Sequence, residues 1–150
     1  SPCVLFVGGD CFFGSLAHSS FPDLIGALGK QGAANELRRR TVVYMRQNAD
    51  YRAAFVPFDD GVPFTMTGGQ TPATWDEYCD IMAQEGTYVE GYEIEAAAMA
   101  FRLIITKIGI DEDYSNEFQP HDGVEAVGEA WLVHYDAPGG AAHYRAFEWC

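Results

Sequence analysis

The sequence predicts an α+β layered fold in which helices flank a small, mostly antiparallel β-sheet. Apolar residues follow helical spacing in the middle of the chain, and strand-like alternation is confined to its last third. Of the 150 residues, 48% are hydrophobic and 14% are aromatic, which is enough apolar surface for a single core. We therefore expect one domain, residues 1–150, built from packed layers of helices and strands.

The first helices are predicted from spacing and end signals. Residues 35–48 form a helix with a periodic apolar pattern, and the three arginines at positions 38–40 are assigned to its solvated face. A short helix is expected over residues 50–55, with Asp50 as its N-cap. The periodic positions of the longer helix are Leu37, Thr41, Tyr44 and Met45.

Two further helices are predicted near the middle of the chain. Thr74 and Glu77 have the spacing of a capping box, so one helix begins after Thr74 and ends with Gly86 as its C-cap. Another covers residues 91–102, where apolar residues again recur on one face. The apolar stripe of the capped helix consists of Trp75, Tyr78, Cys79 and Met82.

The strands are predicted in the C-terminal third. The segment 103–108 is short and rich in β-branched side chains. In residues 130–135 the side chains alternate between two faces, with Trp131, Val133 and Tyr135 on one of them. A Pro-Gly-Gly turn at 138–140 precedes residues 144–149, which are predicted to return as an antiparallel strand. Residues 109–128 are acidic and irregular, with room for one further strand.

The charge of the chain restricts its partners. A formal net charge of −13 disfavours nucleic acid and anionic membrane surfaces, and it favours a basic partner. No apolar run approaches the roughly 20 residues needed to span a bilayer. We expect a monomer.

The cysteines stand at positions 3, 11, 79 and 150, a spacing that matches no zinc motif. A core of this size needs no disulfide, so we expect free thiols in a reducing compartment, the cytoplasm, or the host cytoplasm for a pathogen effector. Cys79 is predicted to be a core residue. Because the chain starts with Ser1 and has no initiator Met, we expect a fragment of a longer protein.

Cys11 is a candidate nucleophile. It follows Gly8-Gly9-Asp10 and precedes an apolar stretch, which predicts a Gly-rich turn that opens onto a helix. A helix N-terminus stabilises a thiolate, and the free amides of the turn can hold an oxyanion. The alternative is a buried core cysteine, since free cysteine is among the most buried residue types.

A nucleophilic cysteine needs a base, and the chain offers four histidines. His18 lies two helical turns beyond Cys11, His121 lies in the acidic segment, and His134 lies within a strand. His143 follows the Pro-Gly-Gly turn at the start of a strand, a position that suits a general base facing a cleft. Pattern alone leaves all of these assignments open.

Four segments in order resemble the sequence boxes of the OTU (ovarian tumour) family of deubiquitinases. The first, GGDCFFGSLA, is similar to the family's nucleophile box, and His143-Tyr144 resembles its terminal histidine box. Together the four extend over nearly the whole chain. They are residues 8–17, residues 37–48, residues 75–98 and residues 143–144.

The resemblance implies a papain-like cysteine protease that needs no cofactor and no metal. It implies that Cys11 attacks the isopeptide carbonyl after the C-terminal Gly-Gly of ubiquitin, or of a ubiquitin-like modifier, and that His143 is the base. Amides of Gly9, Asp10 and Cys11 would form the oxyanion hole. Residues 87–91 would line a channel for the extended ubiquitin tail. The implied substrate-binding residues are Gly9, Thr87, Tyr88, Glu90 and Tyr144.

Two departures from the family pattern affect the third catalytic residue. Arg145 stands where the family has Asn or Asp, and a guanidinium cannot accept the imidazole N–H. Gly8 stands where some relatives have an aspartate. A Cys–His dyad is one alternative. The acidic candidates for a third residue are Asp10, Asp136 and Glu148, or an acid outside this fragment.

Two other interpretations of the chain stay open at this point. The departures at Arg145 and Gly8 favour a catalytically impaired domain that binds ubiquitin without cutting it. Alternatively, the chain is an unrelated acidic domain in which Cys11 is sealed in the core, far from His143.

Overall fold

The computed structural model describes residues 8–48, 64–109, 115–136 and 142–146. At positions 135, 136, 142, 143, 145 and 146 the description extends to the backbone only. The elements are a 3₁₀ turn at Gly8–Asp10, helices α1 (Cys11–Ser20), α2 (Pro22–Gln47), α3 (Trp75–Met82) and α4 (Tyr92–Phe101), and strands β1 (Leu103–Gly109), β2 (Ser115–Phe118), β3 (Gly128–Asp136) and β4 (Ala142–Ala146).

The four strands form one mixed sheet in the order β2-β1-β3-β4. β1 pairs with β3 in parallel, whereas β2–β1 and β3–β4 are antiparallel. The predicted α+β fold with a small, mostly antiparallel sheet is therefore confirmed. β2 is the further strand expected within residues 109–128, and β4 is the returning strand, which pairs His143 with Tyr135.

α1 lies at the centre of the fold and is buried from Cys11 to Ala17. One side of the helix packs on α2 and the other on β3 and β4. Phe12, Phe13 and Leu16 are fully buried in the main core cluster. Burying a side chain of this size stabilises the fold by roughly 1.5–3 kcal/mol, so this helix is among the most firmly held elements.

α2 is much longer than predicted. It begins at Pro22, thirteen residues before the predicted start at position 35, and is broken at Gly29, whose φ of 78° and ψ of 172° are not helical. The first half was missed because its glycines weaken the helical pattern. Pro22 at the first turn suits a helix start, because its missing N–H needs no partner there.

α3 begins as predicted and ends earlier. The Thr74 hydroxyl accepts the amide N–H of Glu77 at 3.1 Å, and the Glu77 carboxylate accepts the N–H of Ala73 at 2.7 Å. The helix ends at Met82 with Ala83 as its C-cap, so the prediction that Gly86 caps it was wrong. Gly86 instead has a φ of +83° in the turn that follows.

α4 agrees with its prediction, and its C-cap Arg102 is left-handed, with a φ of 53°. The helix predicted over residues 50–55 lies outside the described residues. Within the described part of the chain, no helix combines the length and apolar character needed to cross a membrane. Cys79 is fully buried in a second core cluster between α2, α3 and α4, as predicted.

Candidate active site

Cys11 is the first residue of α1, as the sequence predicts, and its thiol is free. Its own backbone amide and those of Phe12 and Tyr144 hydrogen-bond the sulfur. Burial nevertheless raises the pKa of the Cys11 thiol above its usual value, and the negative charge of Asp10 adds to that effect. The three amides oppose this rise but do not overcome it. The resting sulfur is therefore a thiol that needs a base to react.

Tyr144 connects β4 to the start of α1. Its carbonyl accepts the Ser15 hydroxyl at 3.0 Å, and its ring meets Phe12 edge-on at 5.4 Å. Its amide reaches the sulfur of Cys11. Because His143 directly precedes Tyr144, the chain backbone brings the two predicted catalytic residues to the same end of α1.

The Gly8–Asp10 turn packs directly against the chain at residues 86–87. Gly9 is buried, and a Cβ added there would stand 1.7 Å from the Gly86 carbonyl oxygen. Only glycine permits so close an approach of two backbones. The turn and the segment that follows α3 are thus one packed unit, directly before Cys11.

Arg38 occupies the centre of this unit, and its assignment to a solvated helix face was wrong. It is 2% exposed, and its guanidinium donates to the carbonyls of Gly9, Met82 and Thr87, each at 2.9 Å. The sequence contained a signal for this burial, because Arg38 lies on the same face of α2 as Leu37, Thr41 and Met45. The other two arginines of the triplet, Arg39 and Arg40, are exposed, as expected. Both pair with Glu36.

The carboxylate of Asp10 is engaged within the same unit. One oxygen accepts from Arg38 at 3.0 Å and from the Gly86 N–H at 2.9 Å. The other accepts from Gln31 at 3.3 Å. These contacts hold the side chain beside the turn.

The predicted channel, residues 87–91, is tied to its surroundings at both ends. The Thr87 hydroxyl donates to the Ile81 carbonyl at 2.9 Å, and the Glu90 carboxylate accepts both the amide and the hydroxyl of Thr67. Tyr88 is partly exposed between them. Glu90 therefore joins the channel to the turn at residues 66–70.

Glu93, a buried carboxylate bonded to residue 90, was not singled out by sequence reasoning. It accepts the Glu90 N–H at 2.7 Å and the Tyr78 hydroxyl at 2.7 Å. Burial raises its pKa to about 7, against the opposing effect of these hydrogen bonds. Its charge state near neutrality is thus coupled to the backbone conformation at residue 90.

The other three histidines lie on α1, on β3 and in the segment that follows β2. His134 on β3 packs its ring against Tyr144 at 5.0 Å, and His121 is hydrogen-bonded to the Tyr44 hydroxyl. His18 lies near the end of α1. No group of three or more metal-ligating side chains occurs among the described residues.

A cysteine at the start of a buried helix, met by a strand that carries a histidine, is the arrangement of papain-like cysteine proteases. The model of the OTU-like cysteine protease family matches residues 7–136, and the chain belongs to this family. No curated protein sequence matches the chain.

Solved OTU domains share the fold at low sequence identity. The OTUD1 OTU domain is 16% identical with a TM-score of 0.64, over 97% of this chain and 83% of that one. The OTU protease of Dera Ghazi Khan virus is 12% identical with a TM-score of 0.56, over 99% and 81%. An OTU deubiquitinase of Wolbachia pipientis, solved bound to ubiquitin, is 16% identical with a TM-score of 0.54, over 95% and 93%.

Proposed function

We propose that the chain is a deubiquitinase that hydrolyses the isopeptide bond after the C-terminal Gly-Gly of ubiquitin. One observation carries the proposal: the sulfur of Cys11 is hydrogen-bonded by the amide of Tyr144, the residue next to His143. Family membership and the ubiquitin-bound structures of relatives support the choice of substrate.

In the proposed reaction, His143 removes the proton of the Cys11 thiol, and the thiolate attacks the carbonyl carbon of the terminal glycine. Amides of Gly9, Asp10 and Cys11 stabilise the oxyanion. The imidazolium then protonates the leaving lysine amine as the C–N bond breaks. Water, deprotonated by His143, hydrolyses the thioester and restores the free thiol.

The raised pKa of the thiol makes this proton transfer essential. A cysteine with a depressed pKa would be a thiolate at rest, whereas burial keeps Cys11 protonated until the base acts. We therefore expect activity to fall at low pH as His143 becomes charged, near ~6.5 for an unperturbed histidine.

We propose that the Asp10 side chain positions the Gly8–Asp10 turn, which carries the proposed oxyanion donors. In this role Asp10 is not the third residue of a catalytic triad. Both of its carboxylate oxygens already accept hydrogen bonds, from Arg38, Gly86 and Gln31. With Arg145 at the usual position of the third residue, we favour a Cys–His dyad. Asp136 and Glu148 are the alternatives that substitution to alanine would test.

The substrate tail is proposed to lie along residues 87–91, with Tyr88 and Glu90 on one side and Tyr144 near the nucleophile. The net charge of −13 is complementary to the basic tail of ubiquitin. Glu90 contributes more by holding the channel than by direct pairing, since Thr67 occupies both of its oxygens.

A full panel of diubiquitin linkages tests the proposal. We expect cleavage of at least one linkage by the native protein and none by Cys11→Ser or His143→Ala. His121→Ala is the control, because this exposed histidine contacts Tyr44 and none of the proposed site residues, and it should retain activity. Binding of ubiquitin without cleavage of any linkage would establish the impaired domain that Arg145 suggests.

A further inference from the structure

The guanidinium of Arg38 joins segments that are distant in sequence. It donates to Met82 at the end of α3, to Gly9 in the turn before Cys11, and to Thr87 at the start of the channel. It also pairs with Asp10 at 3.0 Å and lies over the ring of Phe13 at 4.8 Å. Burial lowers the pKa of Arg38 while Asp10 acts in the opposite direction, and an arginine remains charged throughout.

We infer that Arg38 is a positioning residue that orients two peptide groups of the active site at once. In a planar trans peptide, the C=O and the following N–H point in opposite directions. With the Gly9 carbonyl held on the guanidinium, the N–H of Asp10 must point away from Arg38. In the same way, the bond to the Thr87 carbonyl turns the N–H of Tyr88 away from it.

Each of these two N–H groups lies in a segment that the proposed function assigns to the active site. The Asp10 amide is a proposed oxyanion donor, and the Tyr88 amide is placed to bind the backbone of an extended tail. One buried cation therefore couples the oxyanion hole to the substrate channel. This inference rests on the proposed function for its catalytic consequence, whereas the orientation of the two peptides stands on the hydrogen bonds themselves.

The shape of the arginine side chain matters as much as its charge. One terminal nitrogen of Arg38 reaches Met82, while the other reaches Gly9, Asp10 and Thr87. A lysine ammonium is a single point and cannot occupy both positions of this fork. Arg38→Lys therefore keeps the charge and loses part of the geometry.

The test compares Arg38→Lys with Arg39→Lys, an exposed neighbour on the same helix whose side chain is 62% exposed. Hydrolysis of a fluorogenic amide on the ubiquitin C-terminus gives kcat and KM, and iodoacetamide alkylation of Cys11 reports thiol reactivity alone. Losing an oxyanion donor lowers kcat by about 100-fold or more. We expect that fall in kcat for Arg38→Lys, with KM and the alkylation rate each changed by less than about fivefold. Arg39→Lys should match the native protein.

The amide NMR shifts of Asp10 and Tyr88 test the orientation without any activity. They should move in Arg38→Lys and stay in place in Arg39→Lys. Unmoved shifts, or a native kcat in folded Arg38→Lys, overturn the inference, and so does an alkylation rate that falls in proportion to kcat. A native protein with no hydrolysis but with moved shifts in the variant refutes the proposed function and leaves the positioning intact.

If Arg38→Lys does not fold, the Asp10→Asn variant tests the inference in its place. The Asp10 side chain is 17% exposed, so this variant removes the ion pair at a less buried position. We expect kcat to fall about tenfold, since one charge-assisted bond to the guanidinium is weakened. Alkylation should not slow, because loss of the Asp10 charge removes one of the effects that raise the pKa of the Cys11 thiol. An unchanged kcat in this folded variant would overturn the inference.

Discussion

Substitution of Glu93 by glutamine should remove a large part of the pH dependence of stability. The carboxylate is fully buried, and burial raises its pKa from 4.5 in the unfolded chain to about 7 in the folded one. Between these pH values the folded state holds one proton more than the unfolded state. The free energy of unfolding therefore falls as the pH rises, and this contribution is constant above about pH 7.

The expected magnitude follows from the difference between the two pKa values. At about 1.4 kcal/mol for each pH unit, the native protein should lose about 3 kcal/mol of stability through Glu93 alone. For a chain of this size that corresponds to a fall in Tm of about 6–12 °C. Glutamine keeps a carbonyl that accepts the Glu90 N–H, and its NH2 group can donate to the Tyr78 hydroxyl oxygen, which reverses the direction of that bond. It cannot titrate.

The assay is chemical denaturation of native protein and Glu93→Gln at intervals from pH 4.5 to 8. The difference between the two stability curves should change by about 3 kcal/mol across this range. Glu125→Gln, the same chemical change at an exposed position, should leave the native slope unaltered. Parallel curves for native protein and Glu93→Gln would refute the reasoning, because burial would then not outweigh the hydrogen bonds to the carboxylate.

Three further outcomes follow from particular contacts. Gly9→Ala should lower the rate of ubiquitin-amide hydrolysis by about 100-fold, because its Cβ would collide with the Gly86 carbonyl and displace an oxyanion donor; a native rate in the folded variant would contradict this. Thr74→Ala should lower the free energy of unfolding by about 1 kcal/mol in a urea titration, through loss of the α3 cap; no loss would show that the cap is dispensable. Cys79, whose pKa burial raises to about 12, should resist iodoacetamide at pH 8 until the protein is unfolded, as peptide mass spectrometry would show; labelling of the folded protein would contradict its burial.

Local signals in the sequence were sufficient for the elements with strong patterns. The Thr74–Glu77 box fixed the start of α3, and the apolar face of α4 fixed its limits within one residue at each end. Cys11 was placed at the start of α1 because a Gly-rich turn preceded a run of apolar residues. These features depend on neighbours in the chain, which the sequence shows directly.

The features that were missed depend on contacts between distant segments. Arg38 is buried because its helix face meets carbonyls 29, 44 and 49 residues away along the chain. Charge alone favoured solvent for this residue, and only its place among the buried positions of α2 indicated otherwise. Glu93 was likewise beyond local reasoning, because its partner Tyr78 lies on a different helix.

Reaction with ubiquitin that carries a C-terminal electrophile tests most directly whether Cys11 and His143 form a ubiquitin-directed pair. Intact mass should show one covalent adduct, mapped to Cys11, on the native protein. The adduct should be absent in Cys11→Ala and form far more slowly in His143→Ala, while His121→Ala reacts like the native protein. No adduct on the native protein, or an adduct that persists in Cys11→Ala, would contradict the proposed site.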